Sequence, residues 1–114
     1  MAAFYRILFN ASYLNRADSE EVLKILSNTT YRNGIPAGVP ENVLVAHKFG
    51  ERYPTNVENN SQLHMLQLHD CGIIYYPKRP YILCIMTRGD NLETQQTVIA
   101  HISSFIYEKI SRSN

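Results

Sequence analysis

The sequence predicts an α+β domain, an antiparallel three-stranded meander with helices on both faces. Three observations carry this. Apolar residues recur at helical spacing near both ends of the chain, as in Phe4, Ile7, Leu8 and Ala11. Two strand-like runs, 66–76 and 81–87, are separated only by Pro77-Lys78-Arg79-Pro80, the length and chemistry of a hairpin loop. Both faces of that hairpin are apolar, so helices must cover both.

Each element follows in chain order. Residues 2–13 read as an amphipathic helix whose apolar face is Phe4, Ile7, Leu8 and Ala11, with no cap at its start. Asp18 followed by Glu21 resembles a capping box and opens a second helix over about 19–27, with Val22, Leu23, Ile25 and Leu26 as its apolar side. The stretch 33–40, Asn-Gly-Ile-Pro-Ala-Gly-Val-Pro, turns the chain, because glycine favours turns and proline removes a donor. A strand over 43–49 and a polar loop over 52–62 come next.

In the hairpin, Tyr76 is expected opposite Tyr81. Cys71, Ile73 and Tyr75 then share a face with Ile82, Cys84 and Met86, while Ile74, Tyr76, Tyr81, Leu83 and Ile85 take the other. That register makes Cys71 and Cys84 diagonal neighbours about 7 to 8 Å apart, so free thiols are expected. Asp90 and Asn91 cap a last helix to about Lys109, with Val98, Ile102, Phe105, Ile106 and Ile110 as its buried stripe.

Composition narrows the function classes. The chain has 114 residues and 45% hydrophobic residues, enough for one core, so 1–114 is read as a single unit. Eleven Lys and Arg against ten Asp and Glu give a net charge of +1, which excludes a strong field for nucleic acid. The apolar runs fall far short of the roughly 20 residues of a membrane span, and residues 1–14 lack a secretory pattern. His47, His64, His69 and His101 match no metal-site spacing, so structural histidines are expected and no metal or cofactor is implied. Asp70 is expected to contact the neighbouring strand or cap a loop. The triplets beginning at Asn10, Asn28 and Asn59 fit the glycosylation pattern, which arises often by chance.

Three segments carry a family resemblance: Val45-Ala46-His47-Lys48-Phe49-Gly50-Glu51, Leu68 to Pro77, and Pro80 to Gly89. In order and spacing they resemble the carboxy-terminal half of class A β-lactamases, serine hydrolases of the β-lactamase/transpeptidase-like fold. Residues 2–8 resemble the helix after that family's omega loop, and 35–40 the turn before its Lys-containing strand. The resemblance implies a partial fold whose amino-terminal part, with strands completing a five-stranded sheet, is absent from this chain. The family's Ser-x-x-Lys, Ser-Asp-Asn and omega-loop Glu are absent from this sequence too.

What the resemblance implies for the site is specific. Lys48 would be the catalytic electrostatic partner of a serine supplied elsewhere, and Phe49, Gly50 and Glu51 would bind substrate, Glu51 through its backbone N–H as an oxyanion donor. Phe49 stands where the family generally has a hydroxyl residue for the substrate carboxylate. The implied activity is β-lactam hydrolysis by an acyl-enzyme route in the intact parent, with the isolated chain inactive. The implied partners are a small β-lactam or cell-wall peptide and the missing amino-terminal segment; an open sheet edge also predicts self-association. By resemblance the parent acts outside the cell or at its surface. The alternative is a non-catalytic module that binds cell-wall peptide or protein.

Overall fold

The computed structural model describes residues 1–53 and 65–113. His64, the triplet at Asn59 and most of the expected 52–62 loop lie outside the described residues. Three helices and three strands follow the order α1 (Ala2–Asn10), α2 (Arg16–Ser27), a 3-10 helix (Ile35–Gly38), β1 (Val45–Arg52), β2 (Leu66–Ile74), β3 (Tyr81–Gly89) and α3 (Leu92–Arg112). The strands form one antiparallel sheet in the order β1-β2-β3. The expected α+β meander is therefore the observed architecture.

Helices cover both faces. On one, α1 and α2 place Tyr5, Leu8 and Leu23 against Ala46, Cys71 and Ile73. On the other, Ile35, Val39 and Ile99 pack with Val45, Leu68, Ile74 and Ile85. Burying both faces removes apolar area at about 25 cal/mol per Å², which is what secures a sheet of only three strands.

Local signals differ from expectation at three helices. The first helix ends at Asn10, short of residue 13, because Ala11 enters the left-handed region at φ 51° and its amide reaches the Leu8 carbonyl at 3.2 Å. Its buried side is Tyr5 and Leu8, with Phe4 and Ile7 exposed. The second helix opens three residues before the expected Asp18 cap: Asn15 Oδ1 accepts from the Asp18 amide at 2.7 Å. Asp18 contributes instead in the first turn, favoured by the helix dipole.

The third correction concerns α3. Asn91 is its cap, accepting from the Thr94 amide at 2.9 Å, but the buried stripe is Gln95, Ile99 and Ser103. Val98, Ile102 and Phe105 of the expected stripe are exposed, and Ile106 and Ile110 are only half-buried. Two polar residues can be buried because each satisfies a main-chain carbonyl: Ser103 Oγ donates to Ile35 O at 2.8 Å and Gln95 Nε2 to Leu66 O at 2.9 Å. Small side chains are also needed where α3 meets the 3-10 helix. A Cβ on Gly38 would collide with the backbone of Ala100 and lie 2.6 Å from Ser104 N.

The hairpin register is shifted by two residues. Tyr81 pairs with Ile74, not Tyr76, and the chain turns through 75–80, with Lys78 at φ 68°. A shift of two preserves every face assignment, since side chains alternate with period two. It also sets Cys71 directly opposite Cys84, with Cα atoms 4.0 Å apart and the sulfurs joined in a disulfide. The expectation of free thiols is overturned for that reason.

Candidate functional site

The edge strand β1 organises the site. Its residues alternate between the two sheet faces, so His47, Phe49 and Glu51 face the α3 side while Lys48, Gly50 and Arg52 face the α1/α2 side. The helices do not reach the outer end of their face, and Lys48 and Arg52 are exposed there.

The α3 side of β1 is firmly anchored. His47 is 1% exposed and its Nδ1 lies 2.8 Å from Asp70 Oδ1. Asp70 is fully buried, and its second oxygen accepts from the Ile35 amide at 2.8 Å. One carboxylate therefore ties β1 to β2 and both to the 3-10 helix, which is the strand contact and loop cap expected of Asp70. Gly34 is required beside it, because a Cβ there would collide with Asp70 Oδ2. Two residues on, the Phe49 ring stacks on Tyr31 at 3.9 Å and 18° between planes, and the Tyr31 hydroxyl accepts from Gln96 Nε2 at 3.3 Å. Burial pushes the Tyr31 phenol up, partly offset by that hydrogen bond. The sequence gives no local signal for this anchor; it depends on residues 23 to 65 positions apart.

The opposite face is open. Lys48 Nζ donates to the Phe49 carbonyl at 3.0 Å and lies 4.9 Å from the Phe49 ring centroid, so the ammonium sits at the strand edge in water. An ideal Cβ on Gly50 would meet nothing within 4 Å. The Glu51 side chain turns to the other side and accepts from Tyr53 OH at 2.8 Å. The four expected site residues are thus contiguous but divided: Lys48 and Gly50 occupy open-face positions and the Phe49 and Glu51 side chains lie on the other side, with the Lys48 ammonium turned to the strand edge beside the Phe49 ring. Among the described residues no cluster of His, Cys, Asp or Glu is arranged to hold a metal, and no helix is long and apolar enough to cross a membrane.

This meander, flanked by helices and with Lys48 and Gly50 on its outer strand, matches part of the class A β-lactamase fold. A class A β-lactamase from Bacteroides cellulosilyticus superposes with a TM-score of 0.81 at 17% identity, over 98% of this chain and 40% of that one. The protein PBP-A gives 0.75 at 17% identity, over 98% and 38%. A reconstructed ancestral class A β-lactamase of Gram-negative bacteria gives 0.72 at 23%, over 96% and 39%. The chain spans about two fifths of the length of these structures. The model of the β-lactamase enzyme family matches residues 1–110, and the chain belongs to that family. No curated protein matches it.

Proposed function

We propose that this chain supplies one wall of a serine acyl-transfer centre of the β-lactamase type, completed by polypeptide outside it. Gly50 carries the reading. It lies within a strand, where glycine weakens pairing, yet its φ is not positive and no described atom crowds its Cβ position. Neither backbone geometry nor packing requires glycine there. Close approach of a ligand to the backbone would.

In this reading the serine hydroxyl attacks the lactam carbonyl, its proton passes to a base, and the C–N bond breaks as the nitrogen takes up a proton; water then cleaves the acyl ester. Serine and base come from outside the chain. Lys48 lowers the energy of the developing oxyanion and draws the anionic substrate, while the Glu51 N–H donates to the oxyanion. Phe49 borders the substrate from the strand edge and holds β1 against Tyr31. The exposed Val98, Ile102 and Phe105 offer apolar area for the completing polypeptide. The parent acts extracellularly or at the cell surface on a β-lactam or cell-wall peptide.

Coding DNA ahead of the Met1 codon tests the reading. In-frame Ser-x-x-Lys and Ser-Asp-Asn are expected, with a covalent fluorescent-penicillin adduct on the encoded protein that Lys48→Ala suppresses. An in-frame stop without those motifs removes catalysis. The second reading is a non-catalytic module holding cell-wall peptide or protein at this edge. It draws on Phe49, whose ring replaces a hydroxyl and is taken up by Tyr31; a penicillin adduct on the completed protein would exclude it.

A further inference from the structure

The sheet register gathers basic residues that are far apart in the chain. Arg52 pairs with Gln67, and Gln67 with Arg88, so the two arginines stand in one row across β2. Two strand spacings put their Cα atoms about 9 to 10 Å apart, within reach for both guanidinium groups to close over the residue between. The adjoining row is Gly50, His69 and Met86, and the next holds Lys48, Cys71 and Cys84. By parity Lys48, Arg52, His69 and Arg88 all occupy the α1/α2 face, and His69 is diagonal to the other three.

Nothing acidic on the strands answers this charge. Glu51 and Asp70 belong to the opposite face, where Glu51 meets Tyr53 and Asp70 meets His47 and Ile35. On the helices, Glu20 lies beside Tyr75 at the far end of β2. Arg52 and Arg88 are exposed, and among the described residues nothing fills the space above Gly50 and nothing hydrogen-bonds the buried His69 Nδ1. Asp90, on the connection after β3, lines a pocket with Arg88, and three full cations and an imidazole of a chain of net charge +1 share one end of one face.

We infer that this end of the face is an anion site for a small molecule bearing two or more carboxylate or phosphate groups. One group is held at Lys48 and another between Arg52 and Arg88. This rests on the reading of Lys48 and Gly50 as a ligand edge and extends it to a multiply charged substrate class. Arginine forks suit carboxylate and phosphate oxygens, and the His69 imidazole stands diagonal to both arginines on the same face. A single patch of this size on a nearly neutral chain fits a small multivalent anion, not a polymer.

Amide resonances of the full 114-residue chain, titrated with citrate and separately with acetate, test the inference. Citrate should shift Gly50, Gln67 and His69 saturably, and Arg52→Gln with Arg88→Gln should weaken it about tenfold or more without moving the thermal midpoint. His69→Gln should weaken it less. Lys48→Ala probes the underlying reading through acetate: loss of acetate shifts at Gly50 and Glu51 supports that edge, and unchanged shifts count against it. Citrate affinity unaltered by the arginine substitutions, or no citrate shift at all, overturns the inference whatever Lys48→Ala does.

Discussion

Replacing Asp70 by asparagine should be among the most damaging isosteric changes in this chain. The carboxylate is fully buried and accepts two hydrogen bonds at 2.8 Å, from the Ile35 amide and at His47 Nδ1. An asparagine oxygen can serve only one of them. If it faces Ile35, the new NH2 faces His47, which must give up its Nδ1 proton and carry it on Nε2, an atom buried with no partner among the described residues. If it faces His47, the NH2 opposes the Ile35 N–H and two donors are orphaned. Each arrangement leaves at least one buried donor unsatisfied and removes the charge assistance of both bonds. The expected loss is about 2 to 4 kcal/mol. For a domain of this size that is a fall in Tm of roughly 10 °C or more. Urea and thermal unfolding followed by circular dichroism measure it. In a double-mutant cycle, His47→Ala with Asp70→Ala should cost less than the sum of the two, since each single change strands a buried partner. Asp70→Asn within 0.5 kcal/mol of wild type would refute the claim that this carboxylate ties the 3-10 helix to the sheet.

Four further outcomes are expected. The oxidised chain should weigh two hydrogens less than the reduced one, and Cys84→Ser should cost about 3 kcal/mol in denaturant unfolding, the loop-closure value for a 13-residue separation. Phe49→Thr removes the stack on Tyr31 and should cost about 1 to 2 kcal/mol by thermal melt, with an unchanged midpoint showing that the stack contributes nothing. Gly50→Ala should unfold within about 0.5 kcal/mol of wild type, because its Cβ meets nothing, while reducing penicillin acylation of the completed protein. Burial raises Tyr5 and Tyr81 to about 12, with the charge of Asp70 adding at Tyr5. The unfolded chain releases these protons near the ordinary phenol value of about 10, so their contribution is complete below that pH and is lost as pH rises toward 12. Phenolate absorbance should rise together with unfolding in that window, and Tyr5→Phe should make the alkaline loss shallower.

The division between sequence and tertiary structure runs through particular residues. Alternation along 66–76 and 81–87 assigned each side chain to a face, and those assignments survive a two-residue register shift because parity is local. Whether Cys71 met Met86 or Cys84 depended instead on the turn at 75–80 and on the core packed behind it. The α3 stripe misled for a related reason. Hydrophobicity selected Val98, Ile102 and Phe105, while the buried side was set by Gly38 and by the carbonyls of Ile35 and Leu66, which recruited Ser103 and Gln95. Lys48 and Gly50 could be put forward as site residues from the sequence because family motif and strand alternation are properties of contiguous residues. The His47–Asp70 tie and the row of Arg52, Gln67 and Arg88 could not be read there, since only strand pairing sets those distant positions side by side across the sheet.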